Sequence, residues 1–271
     1  MRDYLKIYIA GITIVFIIGC SGYEKVLKSS DYKLKYSEAM RYYKEENYTR
    51  SAALFDQIAM VYRGTSQADT IYYYQAMSYF HQRDYILAGH YFRQFARTYG
   101  GSPFVEEAEF MGAYCYYLQS PRPSLDQSNT VQAIQAFQLY LIKYPESERA
   151  EKVEGYINEL RNKLVEKSYM SAKLYFDLED YKASLVALNN SLYKFPDTKY
   201  REEIMFMLVK SSYLLAYNSV RSKQKERYQD TIDEYYSFAS EYPESKFMKE
   251  AQRLYKNAVD YIGDDITAQE E

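Results

Sequence analysis

Bulky and small residues recur along this chain with the period of an α-helix, and one pattern returns five times. Counting from Tyr48, Tyr85, Thr130, Tyr181 and Tyr228, a small residue follows three positions later: Ser51, Ala88, Ala133, Ser184 and Thr231. Seven positions on stand Phe55, Phe92, Phe137, Leu188 and Tyr235, and fourteen on stand Tyr62, Tyr99, Tyr144, Phe195 and Tyr242. Seven residues make two helical turns, so each set predicts one helix with a bulky stripe and one close-packed position. Three of these helices run into Tyr144-Pro145-Glu146-Ser147, Phe195-Pro196-Asp197-Thr198 and Tyr242-Pro243-Glu244-Ser245. Proline stops each of them, and Ser147, Thr198 and Ser245 are placed to N-cap the next helix. The first two are expected to stop at Gly64 and at Gly100-Gly101.

A second helix precedes each of these. In four repeats it carries a small residue followed by two aromatics: Ala39-Tyr42-Tyr43, Ala76-Tyr79-Phe80, Ala113-Tyr116-Tyr117 and Ala172-Tyr175-Phe176. The helix pair resembles the tetratricopeptide repeat. The expected fold is all-α: a tetratricopeptide-repeat superhelix of five helical hairpins, with a C-terminal capping helix over Ser245–Tyr261. Repeats and cap together take residues 33–262, and the acidic end, 263–271, reads as a disordered tail.

The steps between repeats are unequal. The third repeat gains a loop, Ser120–Asn129, whose Pro121 and Pro123 forbid continuous helix. The step from Thr130 to Tyr181 exceeds the first step by about four helical turns, a length that extends a helix without rotating its apolar face. It predicts a long helix, or two in tandem, over Ser147–Leu178. The last step places its polar excess around Val220–Glu226.

The N-terminus has another character. Arg2 and Lys6 precede an apolar run, Ile7–Ile18, which is too short to span a bilayer and reads as a secretory signal. The ending Ile17-Ile18-Gly19-Cys20 resembles a bacterial lipobox, which implies cleavage after residue 19 and lipidation of Cys20. Residues 20–32 then form a lipidated linker, and several acyl chains on one residue hold a soluble domain stably at a membrane. Ser21 stands beside Cys20 where aspartate is a common inner-membrane retention signal, so the outer membrane is the expected destination, with the domain facing the periplasm.

Composition narrows the function. The formal net charge is −3, and losing Arg2, Lys6 and Asp3 with the leader makes it one unit more negative. No basic excess remains for a nucleic-acid partner. Cys115 is the only other cysteine, so there is no disulfide framework. His81 and His90 bracket the turn at Asp84, and two histidines without a nearby cysteine are a weak metal site; no metal and no cofactor are expected. Gly-x-Ser-x-Gly, His-Glu-x-x-His and phosphate-loop motifs are missing, so the chain is not expected to be an enzyme. There are 35 Tyr, 13 Phe and no Trp, a composition that suits protein contacts better than the indole platforms of glycan-capturing lipoproteins.

Stacked hairpins build the inner wall of their superhelix from the first helix of each pair. With Ala39, Ala76 and Ala113 turned toward their partner helices, the inward positions are Tyr36, Met40 and Tyr43; Tyr73, Met77 and Phe80; and Phe110, Tyr114 and Tyr117. Such a stripe suits an extended peptide, since rings hold side chains, tyrosine hydroxyls reach backbone groups and Met adapts to shape. The same rings also suit packing between repeats.

Lipobox, five repeats, the long helix in the middle and the Tyr/Phe-Pro-x-Ser/Thr junctions together resemble the BamD family, the helical lipoproteins of the outer-membrane β-barrel assembly machinery. The resemblance implies a non-catalytic scaffold whose C-terminal repeats dock a BamA-like barrel assembly subunit through its periplasmic domains. Its N-terminal repeats would meet unfolded outer-membrane β-barrel clients at their C-terminal signal strands. Arg201, opening the helix after Phe195-Pro196-Asp197-Thr198, is the candidate for an interface salt bridge. The alternatives are an adaptor for other envelope complexes and a substrate-capturing uptake lipoprotein.

Overall fold

The computed structural model describes residues 22–270, with side chains as far as Gly263. The signal segment 1–19 and Cys20 lie outside the described residues. Among those described, all regular secondary structure is helical. Residues 22–28 form α1. The hairpins follow as α2 (Tyr32–Lys44) with α3 (Tyr48–Ile58), α4 (Ala68–His81) with α5 (Tyr85–Thr98), α6 (Val105–Gln119) with α7 (Ser128–Lys143), α8 (Ala150–Asp177) with α9 (Tyr181–Lys194), and α10 (Arg201–Tyr217) with α11 (Arg221–Glu241). The chain closes with α12 (Met248–Glu270).

The repeat register holds at its buried positions. Ser51, Ala88, Ala133, Ser184 and Thr231 are all fully buried, as are Ala39, Ala76, Ala113 and Ala172. In the fifth hairpin Val209 takes the corresponding place on α10. Phe55, Phe92, Phe137 and Leu188 fill the core as expected. The fifth repeat departs: Tyr235 is half-buried and stacks on Tyr255 at 4.4 Å, while Phe238, one turn further on, is buried against Phe206. That later position is also buried in the other repeats, at Ile58, Phe95, Tyr140 and Ser191. Both positions lie on the same helix face, and α12 claims the first of them here.

Two local devices make the hairpins. At the tight turn Asn47, Asp84 and Asp180 cap the second helix, each side-chain oxygen accepting from a backbone N–H three residues on. Just before each cap, Glu46, Arg83 and Glu179 adopt left-handed backbone, with φ of 59°, 62° and 60°. The amides of these residues and of the caps bond back to Tyr43 and Tyr42, Phe80 and Tyr79, and Phe176 and Tyr175. This is the Schellman termination, repeated in three hairpins.

Between hairpins the chain works differently from expectation. Ser147, Thr198 and Ser245 do not N-cap the following helices. Each hydroxyl accepts from the amide two residues on, closing a local turn, and the helix begins one residue beyond that. Ser102 does the same ahead of α6. Helix α3 does not reach Gly64: it ends at Ile58, and turns bonded Val61 to Ile58 and Arg63 to Met60 lead to Gly64 at φ 83°.

The loop with Pro121 and Pro123 is non-helical up to residue 127. The long segment is one helix, α8, of 28 residues. The polar stretch after Val220 is not an insertion outside helix but adds two turns at the start of α11, since Arg, Lys, Gln and Glu without Gly or Pro favour helix. Likewise the end of the chain, expected to be disordered from 263, continues α12 through Glu270.

The described residues divide into two compact units, 22–121 with 126–160 and 122–125 with 161–270. In the first, α2 packs on α3, α3 on α4, and so on to α7, and α2 also meets α4. In the second, α9, α10, α11 and α12 pack in order, with α10 also meeting α12.

Candidate peptide-binding stripe

The first helices of the N-terminal unit carry a ladder of rings that passes from repeat to repeat. Tyr43 on α2 meets Tyr74 on α4 edge to face at 4.8 Å. Phe80 on α4 meets Tyr114 on α6 at 6.2 Å. Tyr114 stacks on Tyr117 at 5.5 Å, and both reach Tyr156 on α8, at 5.5 Å and 4.5 Å. These rings are half-buried. Each such pair adds roughly 0.5–1.5 kcal/mol beyond its area, so the ladder is a stiff surface.

Polar groups are set among the rings. The Tyr117 hydroxyl donates to the Glu159 carboxylate at 2.6 Å, and burial with that bond raises its pKa. Burial raises the Tyr43 hydroxyl to about 12. His81 stacks on Tyr48 at 4.3 Å and meets Tyr43 at 5.9 Å, and burial lowers its pKa. At neutral pH the Tyr43 and Tyr117 hydroxyls therefore stay protonated, with the Glu159 carboxylate set beside Tyr117.

The nine residues expected on the inner wall separate into groups. Tyr43, Phe80, Tyr114 and Tyr117 lie on the ladder. Tyr36 and Met40 pack onto the first hairpin core with Tyr62, and Met77 is half-buried. Tyr73 stacks on Phe104 at 4.5 Å and sits edge-on to Phe92 and Phe95, so most of its ring serves contact between hairpins. Phe110 is a correction. It is only 7% exposed, because Phe137 and Tyr140 of α7 close over it and the Arg149 guanidinium lies 4.9 Å from its centre. Phe110 is core.

Sequence reasoning missed Tyr74, Tyr156 and the ring of His81. Tyr74 is two residues before Ala76, off the inward register, and only the run Tyr72-Tyr73-Tyr74 hinted at it. Tyr156 comes from the early part of α8, which the repeat pattern does not index.

Elsewhere, Arg201 is already engaged. Its guanidinium forks onto Glu241 of its own hairpin and donates to the Pro196 carbonyl. The partner carboxylate foreseen for it is thus replaced by an intrachain one. His90 is exposed beside Tyr91. No cluster of three His, Cys, Asp or Glu able to hold a metal occurs among the described residues. Cys115 is buried and its thiol is pushed up to about 12 by desolvation, which makes it a packing residue rather than a nucleophile. No helix among the described residues is long and apolar enough to cross a membrane.

Among protein families, a model named YfiO and described as outer membrane lipoprotein matches residues 29–226. A search of curated proteins finds no match.

Proposed function

This chain belongs to the YfiO family of outer membrane lipoproteins, and from that premise we propose that it is a non-catalytic scaffold for assembling β-barrel proteins into the outer membrane. Cys20 is its lipid attachment point, and the repeat domain faces the periplasm. Its C-terminal repeats dock a BamA-like assembly subunit, and its N-terminal repeats hold client segments. In this reading Arg201 serves docking by fixing α10 to α11 rather than by meeting a partner carboxylate itself.

The observation that carries the client-binding part is the ring ladder Tyr43–Tyr74, Phe80–Tyr114–Tyr117–Tyr156. It offers a row of half-buried aromatic rings carrying hydroxyls, which matches an extended strand carrying alternate apolar side chains and a terminal aromatic. Ordering such a peptide consumes much of the contact energy, so affinity near micromolar is expected.

The test uses the intact chain and a peptide of a barrel protein's last strand ending in Phe. Replacing Tyr43, Phe80 and Tyr117 together by Ala should weaken binding about tenfold or more while the helical circular-dichroism signal persists. A control peptide without the terminal aromatic should bind less well and lose little further in the variant. Equal binding of both peptides to the wild-type chain would remove the client role from these rings.

A further inference from the structure

Repeats one and four are the same hairpin in register. Ala39, Tyr42, Tyr48 and Ser51 recur as Ala172, Tyr175, Tyr181 and Ser184 at one constant spacing. The left-handed Glu46 recurs as Glu179, and the buried contact of Ser51 with Ser78, 3.1 Å, recurs as Ser184 with Ser211, 3.0 Å.

One face differs between them. On repeat one, α1 covers the face formed by Tyr42, Arg50 and Leu54. Tyr23 stands edge-on to Tyr42 at 5.6 Å, the Arg50 guanidinium lies 5.0 Å and 5.5 Å from the two ring centres, and Val26 and Leu27 pack on the core that holds Leu54. Under this cover Tyr42 is 5% exposed. On repeat four the same three positions are Tyr175, Ala183 and Ala187, and with Val186 and the polar Asp180, Lys182 and Asn190 they line an open groove of about 550 Å³. Tyr175 is 43% exposed, and apolar Val186, also on the groove, is 60% exposed. Alanine in place of Arg50 and Leu54 lowers the floor, so this groove accepts larger side chains than α1 supplies.

We propose that this groove receives a short amphipathic helix of a partner protein, presenting an aromatic and two aliphatic side chains at positions i, i+3 and i+4. The occupant is argued from α1, which offers Tyr23, Val26 and Leu27 at that spacing to the equivalent face. A second copy of this chain does not supply it, because its α1 is already seated on its own repeat one. The groove belongs wholly to the C-terminal unit and is independent of the ring ladder.

The intact mature chain is titrated with a fluorescent peptide of residues 22–30, locked helical by a side-chain staple because so short a helix does not form alone. Val186→Glu, at an exposed position on the groove, should weaken binding about tenfold or more by placing a charge where an apolar side chain docks. Arg50→Ala on repeat one should leave it unchanged. Absence of binding, or binding that responds to Arg50→Ala and not to Val186→Glu, overturns the proposal. In cells, a benzophenone side chain at Val186 should crosslink to another protein at a segment with the aromatic–aliphatic spacing; adducts only to this same chain overturn it.

Discussion

Arg201 and Glu241 bind each other through two parallel hydrogen bonds, Nε to Oε1 at 2.5 Å and Nη2 to Oε2 at 3.0 Å. The pair ties the first residue of α10 to the last residue of α11 across forty positions of sequence. It closes the hairpin at the end away from its tight turn, where the two helices would otherwise fray apart.

That pair should register in the pH dependence of stability. Hydrogen bonding to Arg201 is the main reason that the Glu241 carboxyl lies below its ordinary value of 4.5. A depressed carboxylate contributes stability above its unfolded value and loses it as pH falls through the folded one. Both side chains are about one-third exposed, so the contribution is at most about 1 kcal/mol. The gap in urea midpoint between wild type and Glu241→Gln should be full at pH 7 and vanish below the folded pKa. A gap unchanged on acidification would show that the pair contributes through packing instead.

Phe92 and Phe137 are fully buried at equivalent places in repeats two and three. Truncating either to Ala should cost about 3–5 kcal/mol, measured by chemical unfolding. Because each hairpin buries its face on the next, hydrogen exchange should also accelerate in the adjacent repeats. Tyr235→Ala, at the same register but half-buried, should cost clearly less.

Ser184 and Ser211 share a buried hydroxyl contact at 3.0 Å. Ser184→Ala alone strands the Ser211 hydroxyl and should cost about 1–3 kcal/mol. The Ser184→Ala, Ser211→Ala double variant should recover part of that loss, because no polar group is then left unpaired. A double-mutant cycle measures this, and strict additivity would mean that the two hydroxyls do not depend on each other.

Anchoring should depend on Cys20. Cys20→Ala should abolish incorporation of labelled palmitate and move the exported protein from the membrane pellet to the soluble periplasmic fraction. Persistence in the outer-membrane pellet after a high-salt wash would exclude a lipid anchor at this residue.

The parts of the fold that were legible in the sequence are those fixed by side-chain volume. Ala39, Ser51 and their counterparts are small and buried where the paired helices meet, so their spacing reports the hairpins directly. Helix ends were harder to read: the turn after Ile58 is made by backbone hydrogen bonds with no distinctive residue, and at Ser147, Thr198 and Ser245 the residue type marks a turn without saying that its hydroxyl closes that turn instead of capping the helix. The site was half legible. Helical phase placed Tyr43, Phe80, Tyr114 and Tyr117 on one stripe, but phase alone does not reveal that α7 folds over Phe110. Nor does it foresee that a helix of 28 residues brings Tyr156 alongside.

The left-handed residues at the tight turns carry a consequence for engineering. Glu46, Arg83 and Glu179 hold a conformation that disfavours any side chain by roughly 1–2 kcal/mol, and glycine adopts it freely. All three are exposed. They form three equivalent points at which a glycine would relieve backbone strain, so the stability of three hairpins can be adjusted separately, one turn at a time.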